Sequence, residues 1–114
     1  MTRIRVLQRA IRLLQSGFIP YDRKGQARDI NGNIVTCAHP DACQFNATGA
    51  VVRAIYEFTG DPVQDRLPLW ESTMKVFHDR YKGWTPMYNA FEKMSKAEII
   101  DLFQQQLDEW NDIS

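Results

Sequence analysis

The sequence predicts a mainly α, single-domain protein over 1–114: about four helices, with a small β-hairpin between the first and the second. Three observations predict it. Apolar residues recur at helical spacing in four separate stretches. The segment between the first two stretches is broken by Pro20, Gly25 and Gly32 and contains Asn31-Gly32, the pair a tight hairpin turn favours. Ser95-Lys96-Ala97-Glu98 has the form of a capping box ahead of the last apolar stretch. A chain of 114 residues makes one domain of ordinary size.

Taken in order, Thr2 is placed to cap a first helix reaching about Ser16, with Ile4, Leu7, Ala10, Ile11 and Leu14 on one side. Gly17 is the expected stop, at positive φ. Arg5, Arg9 and Arg12 form a second stripe at i, i+4 and i+7. In the hairpin, 28–30 pairs with 33–35, and both turn residues take positive φ. The Asp29-to-Asn33 run resembles a calcium loop. However, Cys37, His39 and Pro40 follow and the closing Glu is missing, so calcium is set aside.

The second helix is expected to start around His39 to Asp41, with Pro40 in its first turn, and to end by Thr59 before Gly60. Cys43, Ala47, Ala50 and Ala54 share a face, with Val51 and Phe58 beside it. Such small side chains suit a central helix covered by the others. Gly49 costs about 1 kcal/mol in a helix interior, which calls for close approach of another backbone. Asn46, Arg53 and Glu57 form a polar line beside it, read first as an internal hydrogen-bond network and more sharply as a ligand-facing edge. After a turn at Asp61-Pro62, a third helix runs from about Val63 or Leu67 to Tyr81 and buries Trp70, Met74, Phe77 and Tyr81. Lys82-Gly83 ends it, and 84–94 is expected to be a loop. The fourth helix reaches about Trp110, burying Ile99, Phe103, Leu107 and Trp110.

Composition narrows the function. No apolar run approaches the ~18 residues of a membrane span, and the arginines of 1–14 leave no room for an apolar targeting core. The expected setting is the cytoplasm, with Cys37 and Cys43 reduced and no membrane partner. Lys plus Arg and Asp plus Glu balance at 14 each, but unevenly along the chain. Arg3, Arg5, Arg9, Arg12, Arg23, Lys24 and Arg28 precede Asp29 against Asp22 alone, and acids dominate afterwards. The two parts attract each other within the fold, or the first part meets an anionic partner.

Two sharper chemistries were weighed. Cys37, His39 and Cys43 are zinc-ligand types, but their spacing fits no common knuckle and a fourth ligand would have to be His78. A thiol enzyme would use Cys37 or Cys43 with His39 or His78 as base. Against it, Cys43 falls on the expected buried face and nothing marks an oxyanion site. No metal or cofactor is expected.

Ala42, Phe45, Gly49, Ala50, Arg53 and Ala54, together with Tyr88-Asn89, Ser95 and Glu98, follow an order that resembles a family of unknown activity from bacteria and their phages. That family carries Gly-Ala-x-x-Arg-Ala and Trp-Asn-Asp motifs. The resemblance runs over nearly the whole chain. Asn46 stands where the family often has cysteine, Tyr88 for its tryptophan and Ala90 for its aspartate. The resemblance brings no activity with it. It implies that Tyr88 plugs the core and that Asn89 satisfies backbone groups in a loop.

The reading that follows is a small non-enzymatic protein-binding domain of unknown role, expected to be a phage-encoded modulator of a host or phage protein acting in a host cytoplasm. Arg5, Arg9, Arg12 and Arg28 would form its partner surface, and Asn46, Arg53, Tyr88 and Asn89 its ligand-facing edge. The alternatives are the cysteine enzyme and nucleic-acid binding through the arginine stripe.

Overall fold

A computed structural model describes residues 2–21, 25–61 and 68–113. The helices are α1 (Arg3–Ser16), α2 (Ala47–Thr59), α3 (Pro68–Tyr81), α4 (Trp84–Glu92) and α5 (Lys96–Ile113). Strands β1 (Ala27–Arg28), β2 (Ile34–Val35) and β3 (Gln44–Phe45) form an antiparallel sheet in the order β2-β1-β3. The mainly α expectation holds among the described residues, with one helix and one strand more than expected.

The hub is α1, not α2 as expected. It packs against α2, α5, α3 and β3, because its apolar residues cover a broad arc rather than a seam. Val6, Leu7, Ala10, Ile11, Leu13 and Leu14 are all buried. The Thr2 hydroxyl accepts from the Arg5 N–H and caps the helix. Gly17 follows it, but with φ −168°, an extended conformation open to any residue. Its reason for being glycine is space: a methyl there would overlap the Cys43 carbonyl oxygen. Beyond Gly17 the chain runs along β3, with Phe45 N–H donating to the Gly17 carbonyl at 2.8 Å and Ile19 N–H to Phe45 at 3.1 Å.

The hairpin is shorter than expected and turns differently. Asp29 pairs with Asn33, leaving three loop residues, of which Gly32 alone has positive φ, at +84°. This is a type I turn closed by a left-handed residue, not the two-residue turn expected of Asn31-Gly32. The Asp29 carboxylate accepts from Asn31 N–H and Asn33 N–H, both at 2.9 Å, and that local capping decides the loop. These bonds also hold its pKa below the ordinary carboxylate range, the Asn33 N–H contributing most.

The second helix starts at Ala47, not around His39 to Asp41. Pro40 lies in a turn, and Gln44 and Phe45 pair with β1 through Arg28↔Gln44 and Ala27↔Phe45. Asn46 makes the switch. Its Oδ1 accepts from Gly49 N–H at 2.7 Å and from the Thr48 hydroxyl at 3.0 Å, an N-cap that competes with continuing the helix backwards. Cys43 therefore lies outside the helix and is exposed, while Cys37 is buried, the reverse of the expectation. From Ala47 to Ile55 every α2 residue except Arg53 is buried. Gly49 does meet another backbone, at Gln26 just before β1 rather than on a helix.

Pro68 opens α3, which buries Thr73, Met74 and Phe77, with Trp70 and Tyr81 half-buried. The alternative start at Val63 or Leu67 and the proline of the Asp61-Pro62 turn lie outside the described residues. The expected loop at 84–94 is instead α4. Pro86 sits in its first turn, where a missing N–H costs nothing, and Met87 and Phe91, four apart, are its buried stripe. Phe91 meets Phe77 edge-on and Tyr81 likewise. The capping box forms as read: Glu98 N–H donates to Ser95 Oγ, and Ser95 N–H to Glu98 Oε1. Helix α5 then buries Ile99, Leu102, Phe103, Gln106, Leu107 and Trp110.

Candidate functional site

The outer face of α1 is the most distinctive surface. Arg5, Gln8, Arg9 and Arg12 repeat at helical spacing on the side opposite the buried arc. They line a shallow groove of about 420 Å³, together with Ile11 and Arg-facing Phe58 on one side and Gln104 and Leu107 of α5 on the other. Ile11 and Leu107 are buried and give the groove an apolar floor.

The three arginines differ in their engagement. Arg9 holds the Glu57 carboxylate with two bonds, at 2.7 and 3.2 Å. That bond raises the Arg9 pKa against a smaller opposing effect of burial. Burial pulls Glu57 upward, but the bonds from Arg9 and then Arg53 outweigh it, so its pKa lies below the usual range. Arg5 stands over the exposed Phe58 ring at 6.0 Å. Arg5 and Arg12 are both exposed and have no carboxylate partner among the described residues. Arg28 belongs to β1 and donates to the Gly32 carbonyl in the hairpin, so the structure does not bring it into the groove.

The α5 wall is Gln104 and Leu107, and beyond it α5 exposes Asp101 and Asp108. Gln104 donates to Asp108 at 3.1 Å, and Gln105 to Asp101 at 2.9 Å. Helices α1 and α5 run antiparallel. The Arg3 guanidinium lies 4.4 Å over the Trp110 ring at one end, and Lys96 Nζ donates to the Gln15 carbonyl at the other.

The second set of candidate residues is dispersed. Asn46 is fully buried; besides its cap, its Nδ2 donates to the Gly25 carbonyl, so its polar atoms are turned inward. Arg53 donates to the carbonyls of Cys37 and His39, both at 2.9 Å, and to Glu57. It ties the loop between β2 and β3 to α2. The polar line is thus not one network: Arg53 and Glu57 bond each other, and Asn46 is bonded separately at the start of α2. Tyr88 is half-buried on α4 and stacks on Tyr21 with ring centroids 5.1 Å apart. Asn89 is exposed within the same helix, not in a loop.

The thiols and imidazoles are also separate in role. His39 Nδ1 accepts from the Asp41 N–H, turning the loop, and His78 Nδ1 bonds Asp79 while its ring packs on Trp84. The Cys37 thiol donates weakly to Gln26 Oε1 at 3.6 Å. Among the described residues no three His, Cys, Asp or Glu side chains converge as metal ligands. No described helix is long and apolar enough to cross a membrane.

The sequence reading found the arginines but not Phe58 or Gln104 as their neighbours. Their only signal was an apolar residue one position past a glutamate on α2 and a polar residue among the apolar positions of α5. No family model, curated protein or solved structure matches this chain significantly.

Proposed function

We propose that this is a non-enzymatic protein-binding domain that docks its partner on the outer face of α1. One observation carries the reading. Arg5 and Arg12 are exposed cations without a carboxylate partner among the described residues, set two turns apart on the α1 side of an apolar-floored groove. A partner presenting carboxylates beside an apolar side chain satisfies both features at once. The guanidinium fork suits that task better than lysine would. The resemblance to a family of bacteria and phages points to a bacterial or phage protein as the partner.

Nucleic acid is disfavoured on this face. Asp108 and Asp101 are exposed on the adjacent helix α5, and their charge opposes a phosphate chain crossing the arginines. The thiol-enzyme reading lacks support for a different reason: each imidazole is engaged by its own neighbours, Asp41 and Asp79.

The test is affinity capture from a bacterial lysate with the wild-type chain, R5A/R12A and the surface control K93A. Proteins captured by the wild type and K93A should be absent with R5A/R12A. An identical set from all three refutes the reading.

A further inference from the structure

The face that carries the arginines also carries their complement. Because α1 and α5 are antiparallel, with Arg3 at Trp110 and Gln15 at Lys96, Arg5 lies level with Asp108 and Arg12 close to the level of Asp101. Each pair is separated by seven residues, about 10.5 Å along either helix. Two exposed rows of opposite sign and equal pitch therefore run side by side on neighbouring helices, the arginines lining the groove and the aspartates on α5 next to its Gln104 wall. Among the described residues no ion pair joins them within the chain.

We propose that the occupant of this face is a second copy of the chain. The inference rests on the docking reading above and names its partner. A two-fold axis lying along the groove sets each α1 on the other copy's α5. Arg5 then meets Asp108 and Arg12 meets Asp101, and the same contacts recur in the opposite sense. A two-fold axis across the groove would stack α1 on α1 with arginines facing, so charge selects one orientation. The exposed Phe58 ring in the groove lining adds apolar surface to the face. The chain's formal net charge of zero lets two copies approach without overall repulsion.

The face is small. Helices about 21 Å long, lying side by side, offer roughly 400 Å² per copy, about half of a standard interface. The dimer is accordingly weak, concentration-dependent and sensitive to salt.

Sedimentation velocity tests this, from about 10 μM to about 1 mM protein, in ~50 mM and ~500 mM salt. The wild type should move toward twice its monomer mass with concentration at low salt, and back at high salt. R5E/R12E and D101K/D108K should each stay monomeric, while their equimolar mixture should associate at least as well as the wild type. R80E/K93E matches the first variant in net charge. It should self-associate as the wild type does and should not pair with D101K/D108K.

A monomeric wild type, reversals that leave the dimer intact, or a mixture that stays apart overturns the inference. If the wild type is monomeric but lysate capture remains arginine-dependent, self-pairing falls and the docking reading stands. If capture is also indifferent to the arginines, both fall. Circular dichroism of each variant checks the fold, and should R5E/R12E unfold, the D101K/D108K variant decides alone.

Discussion

Replacing Gly49 with alanine sets two opposed effects against each other. An alanine is favoured over glycine by about 1 kcal/mol in a helix interior, which is the upper bound for Gly49 in the first turn of α2. At position 49 the added methyl would overlap the Gln26 carbonyl oxygen and lie 3.0 Å from both the Gln26 carbonyl carbon and Cβ. These are mostly backbone atoms, so relief requires moving the strand entry, not rotating a side chain. Gln26 also accepts from the Asn46 N–H at 3.2 Å and leads directly into β1, the middle strand. Overpacking costs about 1–3 kcal/mol, and a weakened hydrogen bond adds about 1 kcal/mol. Less the helix gain, the net loss is about 1–3 kcal/mol. For a domain of this size that is a fall in Tm of roughly 5–12 °C. Thermal and urea unfolding followed by circular dichroism measure it. An alanine variant as stable as the parent, or more so, would mean that helix propensity wins and that Gln26 does not press on this helix.

Other consequences are as direct. Asn46→Ala removes the α2 cap and takes the acceptor from the buried Gly49 N–H and Thr48 hydroxyl, so urea unfolding should show a loss of about 2 kcal/mol. Arg53→Met keeps much of the apolar stem but releases the carbonyls of Cys37 and His39. Amide exchange should quicken in 36–43 while α5 is unchanged, and uniform acceleration would argue against a local tie. Glu57 has a folded pKa below its unfolded one, so its contribution is full above the ordinary carboxylate range and is lost as pH falls through the lower folded value. Urea midpoints at acid pH should therefore drop less for Glu57→Gln than for the wild type. Iodoacetamide at neutral pH should label the exposed Cys43 well before the buried Cys37, and the opposite order would contradict the placement of the two thiols.

How far the fold could be read in advance depended on whether local chemistry and periodicity agreed. At Ser95 to Glu98 they agreed, because both halves of the capping box lie within one turn and need no distant partner. At 39–46 they conflicted. Proline and small apolar residues imitate a helix start, but Asn46 caps at the only place where its side chain reaches Gly49, and β1 supplies a pairing edge that no local pattern reveals. In 84–92 a segment containing Pro86 reads as a loop. The proline's position in the first turn becomes visible only once Gly83, at φ +141°, is known to precede the helix.

The charge pattern follows the same logic one level up. The stripe of Arg5, Arg9 and Arg12 is a local fact, legible from spacing alone. Which of the three is already committed depends on Glu57, 48 residues beyond Arg9 and presented by a different helix. Which α5 residues lie level with the other two depends on the antiparallel run of α1 and α5, fixed by Arg3 over Trp110 and Lys96 at Gln15. Sequence spacing identifies a charged face, but only tertiary placement separates arginines neutralised within the fold from those without a carboxylate partner among the described residues. In this protein that division runs between Arg9 and its neighbours one turn away on either side.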